Sequence, residues 1–157
     1  MDVKVDADGR ALERAFRALP AALRKGLEKE TTAAARDVAA VVRGLLRKGP
    51  RTGAAIGGGS RGRKRRSSAP GEPPARRTGA LARSIKVFKL KGRRGPIGSD
   101  VRATVPYGMA LEYGRKKGGV IQPRPFLRPA RASRQEQTFA RISAGIAEAL
   151  RAFEQTR

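Results

Sequence analysis

The sequence predicts an α+β fold: a long N-terminal helix, a small antiparallel sheet and a C-terminal helix, with a long basic Gly/Pro/Ser/Arg-rich loop between the first helix and the sheet. Three observations predict it. Apolar residues recur at three- and four-residue steps near both ends of the chain. Two short stretches between them mix apolar and polar residues in strand-like fashion around a Gly-containing turn. Between the first helix and the first strand lie residues 49–78, whose only large aliphatic residue is Ile56.

At the N-terminal end, Leu12, Phe16, Leu19, Leu23 and Leu27 lay one apolar stripe along a helix. Residues 10–19 and 20–48 are expected as helix, with Pro20 at a break where it can open the second piece. Strong helix formers dominate from there to Lys48, and Gly49-Pro50 stops the run. As one helix, 20–48 would be about 43 Å long. Its small residues Ala33, Ala34, Ala35, Ala39 and Ala40 allow close packing within the subunit or against a neighbour.

Residues 49–78 carry eight basic residues and one acid, Glu72, and on their own hold too little apolar surface to fold. The stretch 84–92 mixes Ile85, Val87, Phe88 and Leu90 with lysines and is expected as a strand. A turn at Gly98-Ser99-Asp100 and a strand through Val101, Ala103 and Val105 follow. "YGMALEYG" (107–114) fits a short helix. After Pro129 a last helix is expected, with Phe139, Ile142, Ile146, Leu150 and Phe153 on one face.

The 157 residues suit one domain spanning 1–157. Lys and Arg number 36 against 13 Asp and Glu, a formal charge of +23, which implies a polyanionic partner or a charged assembly surface. Cysteine, histidine, tryptophan and asparagine are absent. Ser–His and Cys–His catalysis and thiolate or imidazole metal sites are therefore excluded, and no cofactor or enzymatic activity is expected. The start "MDVKVDADGR" lacks an apolar core for a signal peptide, and no apolar run reaches membrane-spanning length, so no membrane role is expected and the protein is placed in the cytoplasm until assembly.

Two features invite a chemical reading. "GGGSRGRK" (57–64) has Gly57 and Gly62 at phosphate-loop spacing, but Arg63 occupies the lysine position and no strand leads in, which favours a basic loop over a nucleotide site. Arg61, Arg63, Lys64, Arg65 and Arg66 form the densest charge and read either as a solvated loop tip or as contacts to the phosphates of DNA in a lumen, without base specificity. Glu112 is the one acid in the aromatic stretch 105–114 and fits a structural role, paired to an arginine.

Two longer motifs point together. The first is Ser68-Ala69-Pro70-Gly71-Glu72-Pro73-Pro74, then Thr78-Gly79-Ala80-Leu81, then Ser84-Ile85. The second is Tyr107, then Leu111-Glu112-Tyr113-Gly114, then Arg124-Pro125-Phe126-Leu127-Arg128-Pro129-Ala130. Together they resemble the tail-component family of long-tailed bacteriophages, the neck or tail-completion proteins of the head–tail junction. The resemblance covers most of residues 10–155, with Arg115 standing where the family usually has Thr.

The resemblance implies a structural virion protein at the head–tail junction of a phage or phage-like particle. It would form a homo-oligomeric ring, six-fold in expectation, joining a connector or stopper protein to a tail terminator or tail tube and letting double-stranded DNA pass. A tail terminator and a sequence-nonspecific nucleic-acid-binding protein are the alternatives. Tyr107, Leu111, Glu112, Tyr113, Pro125, Phe126, Leu127 and Pro129 are the packing and assembly candidates. Pro125 and Pro129 restrict the chain around Phe126 and Leu127 and bias Arg128 toward extended geometry, making an apolar knob that either closes the domain's own core or docks in a neighbour.

Overall fold

The computed structural model describes residues 21–56, 65–90, 97–116 and 120–154. The expected helix 10–19, Arg61, Arg63, Lys64 and the Gly57–Gly62 spacing lie outside these residues. The fold is α+β, with a long N-terminal helix, a small two-stranded antiparallel sheet and a C-terminal helix. In chain order the elements are α1 (Ala21–Arg47), β1 (Ala55–Ile56), β2 (Arg65–Arg66), α2 (Ala80–Arg83), β3 (Ile85–Lys89), β4 (Ser99–Ala103), α3 (Gly108–Tyr113), α4 (Leu127–Ala132) and α5 (Gln135–Glu154). No helix among the described residues is long and apolar enough to cross a membrane.

The chain divides into two compact units. The first takes the described residues of Met1–Ala35, Phe88–Asp100 and Gln137–Arg157. In it α1 buries Leu23, Leu27, Thr32, Ala34 and Ala35. Small residues let α1 and α5 approach: a Cβ on Gly26 would meet the Ala149 Cβ at 3.4 Å, and one on Gly145 would press on the Glu30 side chain. The apolar stripe expected on α5 is largely not the packed face. Phe139 is 64% exposed, and Ile146 and Leu150 are exposed as well. Periodicity finds the stripe, but the glycine at 145 gives the adjacent face the closer fit to α1.

The second unit, Arg36–Val87 and Val101–Glu136, holds the larger core. Ala39, Val42 and Leu46 of α1 pack with Ala82, Ile85, Phe126 and Ala130, flanked by partly buried Val38, Leu81, Val87, Val101, Leu111 and Leu127. The three α1 residues step by three and four, as a buried helix stripe requires. Arg43 ties α1 to the start of β3 by donating to the Ile85 carbonyl at 2.7 Å.

β3 pairs with β4. Ser99 and Asp100 belong to β4, a correction to the turn expected at Gly98-Ser99-Asp100. The Leu90 N–H donates to the Gly98 carbonyl at 3.0 Å, so cross-strand bonding has begun by Gly98. Val105 lies beyond β4, in the turn that leads to α3.

Residues 49–56 and 65–78, the described part of the basic stretch, form local pairings and a tight turn. β1 and β2 pair antiparallel, Ala55 opposite Arg66 and Ile56 opposite Arg65. The Gly53 N–H donates to the Ser67 carbonyl at 2.9 Å and the Ser67 N–H to the Ala54 carbonyl at 3.0 Å, extending the ladder. Ser68 and Pro74 are buried. Ala69-Pro70-Gly71-Glu72 forms a turn closed by the Glu72 N–H on the Ala69 carbonyl at 3.3 Å. Proline second and Gly71 third at φ +84° are the residues a type II turn demands. The Glu72 carboxylate reaches back to accept from the Ala69 N–H at 3.1 Å and from the Thr52 hydroxyl.

Two glycines of this region should respond in opposite directions. A Cβ on Gly49 would overlap the Pro74 carbonyl, whereas one on Gly44, inside α1, meets nothing within 4 Å. Gly49→Ala is expected to destabilise by about 1–3 kcal/mol through backbone displacement. Gly44→Ala should stabilise by roughly 0.5–1 kcal/mol, the helix-propensity difference. Thermal melts of the two variants check both signs.

Candidate interaction site

The two motifs of the sequence fold against each other within the second unit. α3 ends at Gly114, whose φ of +80° suits glycine, and Arg115 and Ile121 then exchange hydrogen bonds of 2.9 and 2.8 Å. The chain returns so that the Arg124 N–H donates to the Leu111 carbonyl at 2.6 Å. The Arg124 Nε donates to the Ser68 carbonyl at 3.2 Å, and the Gly71 N–H donates to the Pro123 carbonyl at 2.8 Å. The Pro-Gly turn of the first motif is thus fastened to the Pro-rich strap of the second.

Glu112 sits at the centre of this junction, 1% exposed. Its Oε2 accepts from the backbone N–H groups of Phe126 at 2.8 Å and Leu127 at 2.9 Å. Its Oε1 accepts from the Arg128 N–H at 3.0 Å and from Arg128 Nε at 3.3 Å. Arg128 also donates to the Glu112 carbonyl at 3.1 Å. The first N–H groups of a helix have no partner inside it, and here a carboxylate from another helix supplies one at the positive end of α4. Phe126 has no side-chain cap of its own.

That network explains a departure from expectation. Arg128 is helical, in the first turn of α4, and not extended ahead of Pro129. Proline disfavours a helical predecessor, but Glu112 holds the Leu127 and Arg128 N–H groups in helical positions. Pro129 lies in the same first turn, where its missing N–H costs nothing. Phe126 is fully buried in the unit's own core, with Leu127 partly buried against it.

Of the remaining candidates, Leu111 and Leu127 pack against the core and Pro125 is half-buried. Pro129 is exposed. Tyr107 and Tyr113 are 45% and 60% exposed, and the Arg128 guanidinium lies 5.3 Å from the centre of the Tyr113 ring. Met109 and Val120 are exposed too. Buried Glu112 therefore fixes a short helix whose outer side presents aromatic and sulfur-bearing side chains. Arg65 and Arg66 are exposed on β2.

An open cavity of about 770 Å³ brings several of these residues together. Arg65, Arg66, Tyr107 and Leu111 all line it. Sequence reasoning missed Arg76, Arg77 and Arg124, which line it as well. The only local signal was their place beside the prolines and Thr78-Gly79, because the hydrogen bond from Arg124 to Ser68 spans 56 residues. No group of three metal-ligating side chains occurs among the described residues.

Comparison with protein families, curated proteins and solved structures finds no match to this chain.

Proposed function

We propose that this protein is a structural subunit of the head–tail junction of a tailed phage or phage-like particle, a neck or tail-completion protein working in a ring between connector and tail tube. One observation carries the reading. Both motif stretches that resemble the neck family build one hydrogen-bonded junction, in which Glu112 and Phe126 are buried while Tyr107, Met109 and Tyr113 stand exposed around α3. Tyr, Met and Arg are the residue types enriched where proteins meet. Buried side chains that hold exposed ones in place suit an assembly subunit, and the roles assigned to these side chains are packing and contact rather than chemistry.

The charge fits the same reading. A ring of chains each carrying +23 surrounds passing DNA with cations that contact any sequence. Like charge also opposes association of free copies, so the ring forms on a template, with the connector or tail end supplying further contacts. A repeated head-to-tail contact that closes gives a cyclic assembly.

Imaging of complete particles tests this. Several copies in a closed ring at the junction are expected, and particles made without the protein should appear as filled heads beside finished, unattached tails. A ring found only on the free end of the tail tube would shift the role to tail terminator. Absence from the particle, combined with tight and steeply salt-dependent duplex binding by the monomer, would replace the reading with a nucleic-acid-binding protein.

A further inference from the structure

We propose that the cavity of the second unit is a docking site for a short peptide segment of a partner protein that carries both acidic and aliphatic side chains. Its volume, about 770 Å³, falls in the range of formed ligand pockets. One part of its wall is apolar: Leu46, Pro74, Leu81, Ala82 and Leu111. The lining is also cationic, with Arg65, Arg66, Arg76, Arg77 and Arg124, and holds no acidic residue among the described residues. Arg124 is already held by its bond to the Ser68 carbonyl, so less side-chain freedom is lost when an anion pairs with it. The Ser68 hydroxyl, on the same wall, is buried and has no hydrogen-bond partner.

The mixture of walls selects the class of occupant. Single-stranded nucleic acid needs stacking platforms beside its phosphate contacts, and Tyr107 is the one aromatic lining residue among the described residues. Duplex DNA would use the arginines and leave the aliphatic wall without a role. A peptide alternating carboxylates with leucine-like side chains uses both, with bidentate arginine–carboxylate pairs fixing its register. The inference does not depend on ring formation, since an isolated subunit contains the whole cavity.

Fluorescence anisotropy on the full chain at near-physiological salt tests it. The probe is a labelled peptide alternating aspartate and leucine, compared with an all-aspartate peptide of the same length and with oligothymidylate. The mixed peptide should bind about tenfold or more tighter than the all-aspartate one, since the apolar wall contributes. Arg76→Glu with Arg77→Glu should weaken it by about tenfold or more. Lys25→Glu with Lys29→Glu makes the same change in net charge on exposed residues of the first unit and should leave binding almost unchanged. Should the arginine pair disturb folding by melting analysis, Tyr107→Ala at the exposed rim takes its place and should weaken the mixed peptide alone. Equal weakening by both charge pairs, equal binding of the all-aspartate peptide, or displacement of the peptide by oligothymidylate at lower concentration would each overturn the proposal.

Discussion

Glu112→Ala is expected to destabilise the second unit by about 3–5 kcal/mol, the cost of leaving one buried and two part-buried backbone donors without their acceptor. The loss comes chiefly from three backbone donors, the N–H groups of Phe126, Leu127 and Arg128, which would be left without an acceptor at the start of α4. An unsatisfied buried group such as the Phe126 N–H costs about 1–3 kcal/mol, and the part-buried Leu127 and Arg128 N–H groups cost less each. The Arg128 side chain contributes far less: it is 59% exposed, so solvent screens its pairing with the carboxylate. Arg128→Ala should therefore cost no more than about 1 kcal/mol, an exposed ion pair's usual value. Glu112→Gln keeps the side-chain volume but turns one acceptor into a donor facing other donors. It should destabilise too, by less than Ala, which separates hydrogen bonding from packing. Urea titrations of the three variants check the order Ala, then Gln, then Arg128→Ala. Equal, small losses for all three would reduce Glu112 to a space filler.

Glu112 also marks how far the sequence is legible. A lone acid within an aromatic stretch already pointed to a structural role beside an arginine, and Arg128 is that arginine. The three backbone partners were not legible, since they lie 14 to 16 residues away and carry no side-chain signature. α1 was readable to within a residue or two because its stripe, its helix formers and Gly49-Pro50 agree. α5 was readable as a helix, yet its expected apolar face is largely exposed, because a period gives a face and not the surface that meets it. The stretch 49–78 looked unfoldable alone, and much of its order comes from distant partners: Arg124 on Ser68 and Pro123 on Gly71. Composition cannot register such bonds. The cavity escaped for the same reason, since its wall draws on α1, β2, α2, α3 and the Pro-rich strap together.

Phe126→Ala should be the second severe change, costing about 3–5 kcal/mol, as deletion of a fully buried aromatic ring does. Phe126 is the largest fully buried side chain among the described residues and shares the core with Val42, Leu46, Ile85 and Ala130. The effect has a second route. Phe126 precedes α4, and its own N–H is one of the donors on Glu112, so movement of the chain into the vacated space would disturb the capping bonds. The losses from Phe126→Ala and Glu112→Ala should then fail to add, because the residues share one structural unit; contacting sites commonly couple by about 0.5–3 kcal/mol. A double-mutant cycle measures that coupling. A double variant less destabilised than the sum of the singles is expected, since the second substitution damages a junction the first has already loosened. Strict additivity would mean that the core and the cap stabilise the unit separately, and the exposed Tyr107 and Tyr113 at the two ends of α3 would owe their position to only one of them.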